Sequence, residues 1–306
     1  MRIVDIATFT TLARVRHFAR AARELNTTQP AISMRLAALE EELGCKLAIR
    51  SGGAFRLTPE GERVLKTFEE ISHALEALRT DLAGQTASAI DVIRVGAIDT
   101  ISSTWMAHLV EALHRRAPRL KVELTIEGTK NLVEGMQHGA YDVIFALDPV
   151  IGESYRSFMS CVFEMSWVGS DKVIDPQRTY SVEELALLPV VTFPRGTPPF
   201  RMLTPYFQDE QVLASKLTST NSLYSIINLV IEGFGIGALP TITVQREIGM
   251  GLLHVLKTTK PLTPMPIIGT YQASTNAALV ALCVEQSRLS AAHYCGQVDT
   301  ERAWVE

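Results

Sequence analysis

Apolar residues follow three rhythms along the chain, and each predicts a different kind of element. Over residues 3–43 the spacing is helical. Ile6, Phe9 and Leu12 share one face of a first helix over residues 3–15, and Phe18, Ala21, Ala22 and Leu25 share one face of a second. Asn26, Thr27 and Thr28 end that second helix, because short polar side chains compete for backbone partners. A third helix then buries Ile32, Leu36, Leu39 and Leu43, at offsets of four, three and four. Pro30 fits its first turn, where a missing N–H costs nothing. Gln29, Pro30, Ser33 and Met34 lie off the apolar stripe, with Arg35 on its border.

Two helices meeting at a tight polar turn, the later one exposing small polar groups at its N-terminal half, form a helix-turn-helix suited to reading base edges. The candidate contacts are Thr27, Thr28, Gln29, Pro30, Ser33, Met34 and Arg35. From Gly44 to Leu57 the pattern turns short and extended, with a turn at Gly52-Gly53 and with Lys46, Arg50 and Arg56 around it. This predicts a two-stranded wing whose Arg50 and Arg56 bring positive charge to the backbone or minor groove.

The order of Ala21-Ala22, Leu25, Gln29-Pro30-Ala31, Ser33, Leu39-Glu40, Leu43-Gly44, Leu47, Arg50 and Leu57-Thr58 resembles the N-terminal domain of the LysR-type transcriptional regulators. The chain departs from the family pattern at Ala48, where the family has Phe. It departs again at Met34, where an arginine usually follows the serine.

The second rhythm is a heptad. Thr58 and the acids Glu60 and Glu62 suit a helix start. Val64, Phe68, Ile71, Leu75, Leu78 and Leu82 then recur at offsets of four, three, four, three and four. So narrow a seam predicts a dimer contact between linker helices, and two heads on a two-fold axis predict a nearly palindromic DNA site. The small polar stretch 84–90 reads as a hinge.

The third rhythm, from Asp91 onward, alternates strands with helices. Strands are expected at 92–98, 121–128, 141–147, 161–170, 188–193, 216–220, 235–240, 252–256 and 267–272. Helices are expected at 102–117, 129–139, 182–187, 198–210, 222–232 and 276–290. This order argues for parallel sheets covered by helices. It resembles the periplasmic-binding-protein architecture of the family's effector domain, with crossings between lobes at Cys161–Val168 and Thr263–Ile268. The tail 291–306 receives no role. The domains read as 1–58, a winged helix-turn-helix; 59–90, the linker helix and hinge; and 91–306, the effector domain. Within the last, lobe I covers about 91–162 and 267–306 and lobe II about 163–266. The fold class is multi-domain α/β.

Small ligands in open α/β sheets sit at strand C-termini near helix N-termini. Thr100, Ser102 and Ser103 occupy one such point, and Thr129, after Gly128, a second; Thr197, Phe200 and Arg201 form a turn on the opposite lobe. By the family resemblance Thr129, Thr197 and Phe200 match cleft-lining positions. Arg201 suits an anionic effector, whereas Asp99 and Asp148, acids at strand ends, suit a cationic one, and the two arguments oppose each other.

Charge sharpens the division between head and body. The net charge is −4, yet residues 1–57 hold nine Lys/Arg against five Asp/Glu. A basic head on an acidic body suits a protein that meets phosphates at one end. No apolar run reaches membrane-spanning length and no secretory signal stands at the start, so a cytoplasmic chain is expected. Cys45, Cys161, Cys283 and Cys295 are scattered and read as buried or idle thiols, and no histidine pair has metal-ligand spacing. The sequence Gly233-Phe234-Gly235-Ile236-Gly237 follows a helix and leads into a strand, the reverse of a phosphate loop, so it reads as a helix cap with close packing. No enzymatic motif is present, and neither cofactor nor metal is expected.

The resemblance therefore implies a sequence-specific regulator of transcription. Its partners would be double-stranded promoter DNA, a second copy in a dimer or a dimer of dimers (a homotetramer), and RNA polymerase. A small-molecule effector in the cleft would control it. The alternative is a solute-binding module whose N-terminal helices serve protein assembly.

Overall fold

A computed structural model describes residues 1–51, 54–83, 91–207, 217–273 and 277–305. The expected hinge at 84–90 and the Gly52-Gly53 turn lie outside the described residues, as do the side chains of Arg50, Leu78 and Leu82. The chain divides into two compact units, with residues 1–89 in one and most of residues 90–306 in the other.

The head consists of helices Ile3–Val15, Phe18–Glu24 and Gln29–Leu43, the antiparallel strands Ala48–Ser51 and Ala54–Leu57, and the long helix Pro59–Ala83. Asn26 takes a left-handed conformation at φ 48°, which asparagine tolerates better than most residues, and turns the chain between the second and third helices. Thr28 caps the third helix by accepting from the Ala31 amide at 3.4 Å. Ile32, Leu36 and Leu39 are buried as expected, but Leu43 is 40% exposed. The helix ends one residue later at Gly44 (φ 68°), so its last turn has run past the core.

Thr58 caps the linker helix by accepting from the Gly61 amide at 2.9 Å, and its hydroxyl donates to the Lys46 carbonyl at 2.6 Å. The front of that helix packs on the first. Phe68 is buried edge-on against Phe9, ring centroids 5.9 Å apart, and Val64 and Ile71 are half-buried against the same core. The expectation that Phe68 meets a partner's helix is thus corrected: its ring is buried against Phe9 of the same chain.

Among the described residues the second unit contains two large sheets and a two-stranded parallel pair, Thr179–Tyr180 beside Lys257–Thr258. The first has the order Ala303–Trp304, Tyr155–Phe163, Met265–Gln272, Val143–Ala146, Val92–Ala97, Lys121–Ile126. The second has the order Leu217–Ser219, Val190–Thr192, Ile236–Pro240, Met165–Gly169, His254–Val255. The single strand expected at 161–170 is two strands, broken at Glu164 where the chain leaves lobe I for lobe II. Residues 259–264 make the return. The tail is likewise corrected. The final helix runs Ala277–Gln297, and Ala303–Trp304 pairs with Val162 and Phe163, covering the edge of that strand. Within lobe I, Asp142 is buried and takes the Arg94 backbone amide at 2.7 Å and its guanidinium at 2.9 and 3.2 Å, fixing the register of two neighbouring strands. The glycines at 233–237 are structural as expected. Gly233 (φ 83°) caps a helix, and a side chain at Gly235 would strike the Pro189 carbonyl.

Candidate DNA-reading head and effector cleft

The third helix presents two unlike faces. Ile32, Leu36 and Leu39 lie in the core, while Thr28, Gln29, Pro30 and Met34 are exposed and Thr27, Ser33 and Arg35 half-buried. Met34 is 70% exposed, a large apolar side chain at the centre of the polar face. Arg35 does not share that freedom. Its guanidinium donates to the Thr8 hydroxyl at 3.2 Å, so it braces the third helix against the first. The wing follows directly, with the Arg50 backbone opposite Phe55 and Arg56 exposed opposite Ile49.

Glu40 joins helix to wing. Its carboxylate is buried, accepts the Leu47 and Ala48 amides at 3.0 and 3.3 Å, and meets the Lys46 ammonium at 2.6 Å. Burial pushes this acid up, but the Lys46 ammonium and the two amides outweigh it and hold the carboxyl below the ordinary glutamate value. Sequence reading treated Glu40 only as part of a motif. The signal available was an acid on the border of an apolar helix face, a few residues before a lysine.

In the second unit the expected cleft residues separate into distinct environments. The helix expected from Ser102 begins earlier and breaks. A short helix Asp99–Ser102 is closed off by Ser103 and Thr104, whose hydroxyls donate to the Thr100 carbonyl at 3.1 and 2.8 Å, and a new helix starts at Met106. Thr100 is buried; Ser102 and Ser103 are exposed. Thr129 is buried and accepts the Leu147 amide at 3.3 Å. Thr197 donates to the Pro194 carbonyl at 2.7 Å. Phe200 is 5% exposed within the lobe II core beside Leu203 and Trp167, so its expected role in the cleft lining is corrected to packing. Arg201 reaches across to lobe I and pairs with Asp148 at 2.7 Å. Asp99 also crosses, accepting the Leu223 amide at 3.3 Å.

Two family descriptions match the chain. "Bacterial regulatory helix-turn-helix protein, lysR family" covers residues 3–62, and "LysR substrate binding domain" covers residues 87–289. The chain belongs to the LysR family. It is a DNA-binding transcriptional regulator whose C-terminal domain is of the effector-binding type.

The curated relatives of this LysR-type regulator include the HTH-type transcriptional regulator YofA of Bacillus velezensis, 27% identical over 79% of this chain and 81% of the relative. GltR of Bacillus subtilis is 25% identical over 78% and 80%. Among solved structures, a full-length OxyR variant from Pseudomonas aeruginosa is 24% identical with a TM-score of 0.63, covering 94% of this chain and 95% of that one. CbnR bound to its target DNA is 19% identical with a TM-score of 0.68, covering 95% and 100%. At such identities the structural likeness concerns the fold. Among the described residues of this LysR-type regulator, no helix is long and apolar enough to cross a membrane.

Proposed function

We propose that this regulator reads promoter DNA through Thr28, Gln29, Pro30 and Met34, with Thr27 and Ser33 at the edges of the contact and Arg50 and Arg56 of the wing on the phosphates. The observation that carries this reading is the exposed polar face at the N-terminal half of a helix whose opposite face is buried. Glutamine is suited to pairing with adenine in the major groove, and the Met34 thioether offers an apolar surface to a thymine methyl. Arg35 supports the helix from behind through Thr8.

Two heads act together, in a dimer and in a dimer of dimers, because one head with a modest local charge binds few phosphates. Since Phe68 belongs to the head, the partner contact starts further along the linker helix, with Leu75, Leu78 and Leu82. A small molecule between lobes I and II selects one arrangement of the heads by binding it more tightly. The cleft binds its ligand without turnover, the chain works in the cytoplasm, and RNA polymerase is met at the promoter.

The test is a fluorescence-anisotropy titration of the full chain on DNA from upstream of its own coding region. Binding that weakens linearly in log affinity against log salt, and exceeds binding to a scrambled duplex, is expected. Equal, weak binding to both duplexes contradicts the reading.

A further inference from the structure

Two contacts between the lobes of the effector domain pair a carboxylate of lobe I with a positive partner of lobe II. Asp148, just beyond the strand Val143–Ala146 of lobe I, pairs with the Arg201 guanidinium of lobe II at 2.7 Å. Asp99, opening the short helix of lobe I, accepts the Leu223 amide of lobe II at 3.3 Å. Leu223 is the first residue of the nine-residue helix Leu223–Ile231, so its N–H is one of those a helix leaves unpaired at its positive end. Lobe I thus supplies carboxylates and lobe II supplies positive partners.

Three of the uncharged candidates are engaged within their own lobes. Thr129 and Thr197 each make a hydrogen bond within their own lobe, and Phe200 belongs to the lobe II core. The charged pair is open to water, with side chains 46% exposed for Asp148 and 56% for Arg201. Ion pairs so accessible are weakly held and exchange partners readily.

Charge balance then selects a ligand class. An anion that took Arg201 would leave the Asp148 carboxylate facing it without a partner, and a cation that took Asp148 would strand the guanidinium. A ligand bearing both charges exchanges one ion pair for two and strands neither. We propose that the cleft takes a small zwitterion of the α-amino acid class, its ammonium on Asp148 and Asp99 of lobe I and its carboxylate on Arg201 and the Leu223 amide of lobe II. This rests on the cleft being the effector site. It also explains why the two sequence arguments about effector charge opposed each other: each described one end of the same ligand. Asp148 and Arg201 tie the lobes directly. In the complex the tie runs through the ligand, so ligand length sets the distance between lobes.

The test is a thermal-shift series on the full chain with the protein α-amino acids, each beside its decarboxylated amine and its deaminated acid. At least one amino acid is expected to raise the melting temperature where its amine and acid do not. Its affinity is expected to fall on the order of tenfold or more in both Arg201→Gln and Asp148→Asn, whose unliganded melting temperatures stay near that of the parent. No response to any amino acid overturns the proposal, as does an equal response to an amine or acid alone. A singly charged or neutral metabolite whose binding is lost in Arg201→Gln overturns the zwitterion and keeps the cleft as effector site. Ligand binding that is unchanged in both variants overturns the proposal and the cleft reading together.

Discussion

Glu40 accepts the Leu47 amide at 3.0 Å, a bond that runs from the reading helix into the first strand-ward residues of the wing. With the Ala48 amide and the Lys46 ammonium on the same carboxylate, this contact fixes where the wing stands relative to the exposed face at Gln29 and Met34. Replacing Glu40 by Ala leaves two backbone donors without their acceptor, which costs about 1–3 kcal/mol of head stability in urea unfolding. The acid dependence has a definite sign. The folded value lies below the unfolded one, so the carboxylate contributes stability above the unfolded value, and that stability is lost as pH falls through the folded value. Glu40→Gln is expected to be less stable at neutral pH and to lose less stability than the parent on acidification. Parallel acid profiles for the two would count against this role.

Gly61 is needed for close approach. A Cβ built there lands on the Leu47 carbonyl, which is backbone and has no rotamer to yield. Gly61→Ala is expected to separate the linker helix from the wing and to destabilise the head by about 1–3 kcal/mol, despite alanine's better helix propensity. A thermal melt no lower than the parent's would contradict this.

Phe68 separates a core role from a partner contact. Truncation to Ala is expected to cost about 3–5 kcal/mol in head stability, the range for a buried phenylalanine. A dimer contact alone predicts a different result: a head of unchanged stability and a smaller mass in sedimentation.

The buried thiols should be slow to react. Burial, with the nearby Asp142 charge, pushes Cys283 up to about 12, so thiolate is scarce at neutral pH. Cys161 is also raised, by its hydrogen bond with Cys295 and by burial. In native protein treated with an aromatic disulfide reagent, half-buried Cys45 is expected to react ahead of Cys161 and Cys283. Cys283 reacting as fast as Cys45 would show that the lobe I core opens readily.

Periodicity made the helices of the head legible: Ile32, Leu36 and Leu39 repeat at the spacing of one face, and that face is buried. It misassigned Phe68 because a heptad states that a residue is covered and does not say by what; Phe9 covers it from within the same chain. Thr104 was not legible as a helix breaker, since its hydroxyl bond to the Thr100 carbonyl competes with a helical pattern that continues through it. Phe200 shows the same limit in lobe II, where a position beside a turn expected to meet ligand lies in a core. Asp99 and Asp148 were visible as acids at strand ends, but their partners, Leu223 and Arg201, lie far along the chain and only the fold brings them together.

The central claim, that the exposed face around Gln29 reads base edges, is tested most directly by replacing Gln29 with Ala and titrating the full chain on its operator and on a random duplex at one salt concentration. The account predicts a loss of about 1–3 kcal/mol on the operator with little change on random DNA. An equal loss on both duplexes, or no loss on either, would contradict it.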